Sequence, residues 1–361
     1  MEMRLAENIR RFRKMRGLTQ EQLSEALGVT AGAVSKWETE RSTPEIGLIM
    51  EMADFFETSV DVLLGYGVQS SAIPAIVERI HALQREKAYP EAFAKAEKAL
   101  QKYPNDFRIV YRCAIVYQLA GVETGNPSAM RKAIALLERS LLLLSQNTDP
   151  EISEFSIRTN IAESYLTLGQ TEKGLELLKK NNVGGIHNAL IGHTYSAELR
   201  KSGEAAPYLA HAFADCCQKL MQTMLGYANL YACQKDAQAM LDALTWLIGF
   251  LESIKADRDR VAFVDKLRAA MLAECAVAAS QLGLDEAAGQ YLQDAHSWAR
   301  RFDAAPVYGM QGIRFCLGEE KNAVAYDDMG SSAMEAVEKT IRTGNNIVQL
   351  QQLWEELKNE P

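Results

Sequence analysis

Residues 19–41, TQEQLSEALGVTAGAVSKWETER, contain two short helical patterns separated by a turn. Thr19 can cap a first helix and Gly28 can end it, because threonine accepts hydrogen bonds at helix N-termini and glycine follows helix C-termini. Thr30 can cap a second helix that runs to about Glu40. Two helices joined by a short turn of this kind form a helix-turn-helix, whose second helix enters the DNA major groove. The stretch therefore predicts a DNA-reading unit.

Apolar residues at helical spacing on either side of this stretch predict a compact helical domain. Leu5, Ile9 and Phe12 fall on one face of a helix. Pro44 fits the first turn of a fourth helix, where no amide hydrogen is needed. A five-helix unit of about 65 residues can just enclose one core. The inward-facing residues expected in the second to fifth helices are Leu23, Ala26, Leu27, Val34, Trp37, Leu48, Ile49, Met52, Ala53, Phe56, Val60, Leu63 and Leu64.

These residues resemble, in register, the Cro/cI-type (XRE) helix-turn-helix domain over residues 5–67. The resemblance implies a lambda-repressor-like, all-α domain over residues 1–67 that binds double-stranded DNA at an operator. The matching residues are Gly17, Leu18, Thr19, Gln20, Leu23, Ala26, Leu27, Gly28, Val29, Val34, Ser35, Lys36, Trp37, Glu38, Pro44, Val62, Leu63, Leu64 and Gly65.

The resemblance places the exposed face of the second motif helix in the DNA groove. Lys36 is predicted to contact a base edge, because lysine can donate to guanine O6 and N7. Gln20 resembles a phosphate-binding residue at a helix N-terminus, and Arg41 and the arginines of the first helix are expected to contact phosphates. The resemblance to the family also implies that Arg13 pairs with Glu38. The predicted DNA-binding residues are Gln20, Thr30, Ala31, Gly32, Ser35, Lys36, Arg41 and Arg13.

Ala31 and Gly32 offer no side-chain hydrogen bonds, so they either pack on a thymine methyl group or allow close approach of the backbone. This helix can therefore recognise few bases directly, and we expect the shape of the DNA to contribute to recognition. Charge is distributed asymmetrically: residues 1–41 carry 8 basic and 6 acidic side chains, and residues 42–67 carry 5 acidic and no basic ones. Two alternatives stay open, a merely solvated basic face on the first helix and a protein–protein module that kept the fold.

Length and composition restrict the class of protein further. The chain of 361 residues is long enough for two or three domains, and its net charge of −8 is unlike that of a protein that coats nucleic acid indiscriminately. No apolar signal segment opens the sequence, and the longest apolar run, 244–251, is too short to span a bilayer. We therefore expect a cytoplasmic protein without membrane contact.

The cysteines and histidines do not form a recognisable chemical site. The six cysteines contain no CxxC pair, so we expect reduced, buried thiols, with a redox sensor at the adjacent Cys216 and Cys217 as the alternative. The five histidines form no HExxH motif, and the chain has neither a Walker loop nor a dinucleotide fingerprint. We expect no enzyme activity, no cofactor and no metal.

Residues 73–302, after a linker at 68–72, resemble tetratricopeptide (TPR) repeats. Second helices of the repeat are indicated by Ala92, Ala133 and Gly174, which lie 41 residues apart. The resemblance implies an α-solenoid with a concave face, closed by C-terminal helices over residues 303–361. First helices show a small residue followed three positions later by an aromatic one, in the pairs Ala114/Tyr117, Ala162/Tyr165, Gly192/Tyr195 and Ala228/Tyr231. Asp327 and Asp328 are interpreted as helix caps beside a glycine turn.

Polar residues on the first helices are the candidates for contact with a guest in the concave face. Amide and guanidinium side chains that project into a groove can pair with the backbone and carboxylate of an extended peptide. Any one of them can equally belong to a solvated helix face. The candidate ligand-binding residues are Arg108, Arg112, Gln118, Thr159, Glu163, His193, Ser196, Gln222 and Asn229.

The combined layout resembles the peptide-sensing transcription regulators of Gram-positive bacteria. That resemblance implies a homodimer in which a peptide in the groove changes the spacing of the two DNA-binding heads. We expect the C-terminal helices to hold the dimer together. A second hypothesis stays open, in which the repeats are an interaction scaffold or an antitoxin-like partner and the head binds DNA only for autoregulation.

Overall fold

The computed structural model describes residues 4–65, 72–316, 324–343 and 348–359. Within these residues the secondary structure is helical, apart from two isolated bridges, Lys255 to Ile313 and Gly309 to Val324. The predicted all-α fold class is confirmed. The predicted linker at 68–72 lies almost wholly outside the described residues. The chain divides into two compact units, residues 1–182 and 183–361.

The first unit contains the predicted head and the helices that follow it. The five helices of the head are α1 (Leu5–Met15), α2 (Gln20–Ala26), α3 (Ala31–Glu38), α4 (Ile46–Phe55) and α5 (Val60–Leu64). The later helices of this unit are α6 (Ala72–Arg85), α7 (Tyr89–Lys102), α8 (Phe107–Thr124), α9 (Pro127–Leu142), α10 (Glu154–Thr167) and α11 (Thr171–Lys180).

The caps of the helix-turn-helix act as the sequence predicts. The Thr19 side chain accepts a hydrogen bond from the amide of Gln22, whose side chain accepts one from the Thr19 amide in return, so both cap α2. Thr30 accepts from the amide of Ala33 at 3.2 Å and caps α3. Gly28 has a φ of +63°, which glycine adopts without strain.

Two helix boundaries in the head differ from the prediction. Helix α3 ends at Glu38 rather than near Glu40, whose φ of 59° is incompatible with a right-handed helix. Pro44 does not lie in the first turn of α4; it is buried just before Glu45, the N-cap residue. The fixed φ of Pro44 therefore constrains the backbone just before α4 and not the helix itself.

The head core consists of the apolar faces of its five helices. Ile9, Leu23 and Val34 are fully buried, and the predicted core residue Ala26 is exposed on α2. Asn8 is a buried polar residue whose side-chain amide donates to the carbonyl oxygens of Val62 and Leu63, both at 3.1 Å. These bonds join α1 to the end of α5.

Within each compact unit, consecutive helices after the head pack against one another, as a helical repeat requires. Small residues stand where helices approach closely: a Cβ on Gly174 would lie 2.5 Å from Cδ2 of Leu166. Ala114 and Ala162 are fully buried, and the aromatic partner of the latter, Tyr165, is 8% exposed. The small-residue and aromatic pattern therefore marks buried helix contacts.

One hydrophobic cluster runs without interruption from the head into the repeat helices of the first unit. It includes Leu5 of α1 and Leu63 of α5 together with Ile80 of α6 and Leu137 of α9. The head and the first repeats of this unit are therefore packed together.

The second unit contains α12 (Asn188–Ala197), α13 (Ser202–Gln234), α14 (Ala237–Ser253), α15 (Phe263–Gln281), α16 (Asp285–Ala304), α17 (Ala333–Thr343) and α18 (Val348–Lys358). The repeat pattern predicts a separate first helix around Ala228, but this residue lies within the uninterrupted, 33-residue α13. No proline follows Pro207 in that helix, and Gly226 keeps a helical conformation, so nothing local ends it.

The interpretation of Asp327 as a helix cap is wrong. Its two carboxylate oxygens accept from the Nζ atom of Lys266 at 2.9 and 3.0 Å, and this lysine side chain is 1% exposed. Asp303 caps α17 instead, with its carboxylate accepting from the amides of Ala333 and Met334. Asp328 is exposed. Among the described helices, none is long and apolar enough to cross a membrane.

Candidate nucleic-acid interface

Helix α3 has one face in the head core and one in solvent. Val34 and Trp37 are buried, whereas Gly32, Lys36 and Thr39 are exposed. Of the other predicted contact residues, Ala31 and Ser35 are half-buried, and Thr30 and Arg41 are exposed at the two ends of the helix. The predicted reading face is therefore accessible.

A buried carboxylate fixes α3 to the two preceding helices. Glu38, with a side chain 3% exposed, accepts from Nε and Nη2 of Arg13 at 2.6 and 2.8 Å. Its Oε2 atom also accepts from Nε2 of Gln20 at 2.8 Å. Nη1 of Arg13 donates to the carbonyl oxygen of Leu18 at 2.8 Å. The expected Arg13–Glu38 pair is confirmed, and the network fixes the orientation of α3 relative to α1 and α2.

The electrostatics of this network favour the ionised carboxylate. Burial acts to raise the pKa of Glu38, but the hydrogen bonds from Arg13 and Gln20, together with the charge of Arg13, outweigh burial and lower it. The bond to Glu38 raises the pKa of Arg13. The Gln20 amide group therefore has a structural partner, which the sequence analysis missed, and its contact with phosphate stays a prediction.

The prediction that the arginines of α1 contact phosphates is wrong for Arg11. Its Nη2 atom donates to the carbonyl oxygen of Leu142 at the end of α9, and Nη1 of Arg4 donates to that of Ser145. Burial lowers the pKa of Arg11, while Glu7 and Glu154 oppose that effect. Carbonyl groups at a helix C-terminus lack partners within the helix and attract cations, which accounts for this orientation. Arg10 is exposed, and its contact with phosphate stays a prediction.

Gly32 lies in the solvent-facing surface of α3 without a structural reason to be glycine. Its backbone is helical, and a Cβ placed there would meet, among the described residues, only Oγ1 of Thr30 at 3.9 Å. Glycine inside a helix costs about 1 kcal/mol relative to alanine. The predicted close approach of DNA to the backbone at Gly32 would account for a glycine that neither packing nor φ requires, and it stays a prediction.

The candidate ligand residues of the first unit have different surroundings. Arg108 pairs with Asp106 at 2.8 Å. Gln118 donates to the carbonyl oxygen of Asn160 at 3.0 Å and to Oγ of Ser164 at 3.1 Å, which links α8 to α10. Thr159 accepts from the side chain of Asn181. Arg112 is half-buried and Glu163 is exposed.

The other four candidates lie in the second unit. His193, Gln222 and Asn229 are exposed, and the Ser196 hydroxyl group donates to the carbonyl oxygen of His193 at 3.0 Å. Neither compact unit holds all nine candidates, so a ligand site that unites them stays a prediction.

The cysteines only partly follow the expected burial. Cys113 and Cys275 are fully buried, and burial raises the pKa of each thiol to about 12. Cys216 and Cys233 are exposed, contrary to the expectation. Burial, with neighbouring Cys216 and Cys316, raises the pKa of Cys217 to about 11, which works against a reactive thiolate. In the described part of the chain, no three His, Cys, Asp or Glu side chains are placed to share a metal ion.

A five-helix head that presents α3 in this way is a DNA-binding helix-turn-helix domain. The family model described as helix-turn-helix matches residues 9–63, and the predicted XRE-type domain at the N-terminus is confirmed. Over 62 residues the chain is 37% identical to the HTH-type transcriptional activator BcrR of Enterococcus faecalis. That match covers 17% of this chain and 30% of the activator, so the chain spans less than a third of that relative's length.

Among solved structures, the chain is similar to the crystal structure of Bacillus thuringiensis PlcR in complex with the peptide PapR7 and DNA. The alignment covers 84% of this chain and 95% of that chain at 17% sequence identity. Its TM-score of 0.24 is too low to establish a shared arrangement of helices.

Proposed function

We propose that this protein is a sequence-specific DNA-binding transcription regulator, that it acts as a homodimer, and that its helical repeats sense a ligand, a short peptide. The observation that carries the DNA-binding part is the exposed face of α3, held at a fixed angle by the Glu38 network. Lys36 is the one exposed basic residue within α3, and its ammonium group donates to guanine in the major groove.

Ligand sensing is supported by the packing of the head within the first unit. Arg4 and Arg11 bind carbonyl groups at and just beyond the end of α9, and a continuous hydrophobic cluster joins α1 to the repeat helices. A ligand that prefers one arrangement of these helices also shifts the position of α1, and with it α3. The repeats can therefore control the head without a separate hinge.

Homodimer formation is supported by the geometry of DNA. Helix-turn-helix proteins bind two half-sites one helical turn apart, so two heads bind more tightly and more selectively than one. The location of the dimer interface on the C-terminal helices stays a prediction.

The test of DNA binding is a footprint on the DNA upstream of the protein's own coding sequence, with a comparison of Lys36→Ala and Lys98→Ala. Lys98 is an exposed lysine on α7 and serves as the matched control. Loss of a base contact costs about 1–3 kcal/mol, so Lys36→Ala should bind the protected site about fivefold to 150-fold more weakly and random duplex nearly as before. Equal losses on both DNAs would refute the base contact.

The same footprint distinguishes the alternative function. Protection that changes with a dialysable factor from culture supernatant supports sensing of a small ligand. Protection that changes only with a protein that co-purifies with the chain supports the scaffold or antitoxin-like alternative, and the ligand part of the proposal then fails.

A further inference from the structure

Helix α13 buries little of its surface within the second unit. Only three of its 33 residues are buried, and all three are alanines: Ala205, Ala210 and Ala228. A helix of this length spans about 50 Å. One side of its second half packs on the core of this unit through the partly buried residues Cys217, Met221, Met224, Leu225 and Tyr231. The other side is open to solvent in the described part of the chain.

The open side of α13 carries a row of residues that are spaced alternately by four and three positions. This spacing averages 3.5 residues, the period that keeps a row of side chains facing a partner helix. Tyr227 and Leu230 are each 46% exposed, and Leu220 is half-buried. We name these residues the α13 row: Cys216, Leu220, Thr223, Tyr227, Leu230 and Gln234.

The α13 row is suited to an apolar contact. The hydroxyl group of Thr223 donates to the carbonyl oxygen of Lys219 at 2.8 Å, so its methyl group is left for packing. The ring of Tyr227 stacks on that of Tyr231 with the ring centroids 6.1 Å apart, and Tyr231 in turn packs on the core. The largest side chain of the row is therefore held in place before a partner binds, which reduces the entropy lost on association.

The charges around the α13 row favour contact with another copy of this acidic chain. No charged side chain occurs from residue 220 to residue 234. On one side of this stretch Asp215 pairs with Lys219 at 2.7 Å, and on the other side Lys235 is followed by Asp236. The whole chain carries a net charge of −8, so two copies repel each other wherever acidic surfaces meet. The α13 row is a surface on which they can meet without repulsion.

We propose that the α13 row packs against the α13 row of a second copy of this chain. A row with 3.5-residue spacing interlocks best with a helix of the same spacing, and a two-fold interface places the same surface on both subunits. A partner with a charged surface would leave its charges unpaired against these uncharged residues. The inference rests on the proposed homodimer and assigns its interface to α13 in place of the C-terminal helices.

The α13 row is separate from the candidate ligand residues on the same helix. Gln222 and Asn229 each precede a residue of the row by one position, which places them about 100° around the helix from it. Substitutions in the row therefore leave the predicted ligand contacts in place, and the two surfaces can be tested separately.

The test measures the oligomeric state of the full-length protein by sedimentation velocity over a range of concentrations. A reductant is present, because Cys216 is exposed and could otherwise cross-link two copies. Tyr227→Glu and Leu230→Glu each place a charge in the row. Gln218→Glu is the matched control, because Gln218 is exposed and lies about 200° around α13 from Leu220. Val348→Glu places the same charge on α18, where Val348 is 58% exposed, and tests the C-terminal location.

We expect wild type, Gln218→Glu and Val348→Glu to form dimers of similar stability. Each of the two row variants should raise the dissociation constant of the dimer at least about tenfold, because it removes an apolar contact from both copies and adds a charge without a partner. Thermal melts followed by circular dichroism check that each variant folds. Leu230→Ala adds no charge and should raise the dissociation constant by a smaller factor, which serves as the readout if the two glutamate variants do not fold.

The outcomes that would overturn the inference are distinct from each other. Row variants that dissociate no more readily than Gln218→Glu would exclude the α13 row and leave the homodimer in place, and dissociation of Val348→Glu alone would assign the interface to the C-terminal helices. A wild type that stays monomeric, both free and on the footprinted DNA, would remove the homodimer as well. DNA binding by α3 is judged independently by the footprint.

Discussion

The Gly32→Ala variant separates the stability of α3 from its contact with DNA. A new Cβ would meet only Oγ1 of Thr30 at 3.9 Å among the described residues, so the methyl group fits without strain. Alanine is favoured over glycine inside a helix by about 0.5–1 kcal/mol. For a unit of 182 residues this gain corresponds to a rise in melting temperature of about 1–4 °C.

The same methyl group should weaken DNA binding. If Gly32 allows the backbone of α3 to approach the groove closely, an added methyl overpacks the interface by about 1–3 kcal/mol, or roughly fivefold to 150-fold in the dissociation constant. Differential scanning calorimetry measures the first effect, and fluorescence anisotropy with the footprinted fragment measures the second. Gly249→Ala is the control, because Gly249 is exposed in α14 with nothing within 4 Å of its Cβ position.

The expected result is a more stable protein that binds DNA less well, with Gly249→Ala more stable and unchanged in binding. A Gly32→Ala variant that gains stability and binds DNA as tightly as wild type would refute close approach at this position.

Two further predictions concern the network and the repeats. Glu38→Gln should destabilise the head by about 2–4 kcal/mol at pH 7 in urea unfolding. The pKa of Glu38 is lower in the folded protein than in the unfolded chain. The ionised carboxylate therefore stabilises the head fully above the unfolded pKa of about 4.3, and this stabilisation is lost as the pH falls through the folded pKa. The gap between wild type and variant should therefore narrow at low pH, and a gap of constant size would contradict the assigned charge state. Gly174→Ala should lower stability by about 1–3 kcal/mol in the same assay, because its Cβ would lie 2.5 Å from Cδ2 of Leu166, and an unchanged midpoint would refute a tight α10–α11 contact.

The head was predictable in detail because local signals agree there. Capping residues at Thr19 and Thr30 and apolar spacing in α1 and α3 all specify the same helices, and the structure contains them. Pro44 was misplaced because a proline satisfies the first turn of a helix and the residue before its cap almost equally well. Short-range patterns do not separate these two positions.

Features that depend on contacts distant in sequence were not predictable. Arg11 looks like a phosphate contact in α1, but its partner is a carbonyl group 131 residues later. Lys266 and Asp327 form an ion pair although they lie 61 residues apart in the sequence. The local sequence around Asp327 suggested a helix cap instead. The continuous α13 was missed because the repeat pattern at Ala228 persists although no residue ends the helix.

The exposed face of α3 was predicted correctly, but the roles of the individual residues near it could not be separated from the sequence. Lys36 and Gly32 are exposed as expected, whereas Gln20 and Arg13 share the carboxylate of Glu38. A glutamine at a helix N-terminus can bind a phosphate or a neighbouring side chain, and only the fold shows that Glu38 lies within reach. The sequence therefore located the surface, and the structure divided it into exposed residues and those that hold α3 in place.

The most direct test of DNA reading by α3 is a selection of bound fragments from a pool of random duplexes, carried out with wild type and Lys36→Ala. The wild type should enrich one motif with two related half-sites, and Lys36→Ala should lose base preference at one position of each half-site while keeping the rest. Failure of the wild type to enrich any motif, or an identical motif from both proteins, would contradict the assignment of Lys36 on α3 as the base-reading residue.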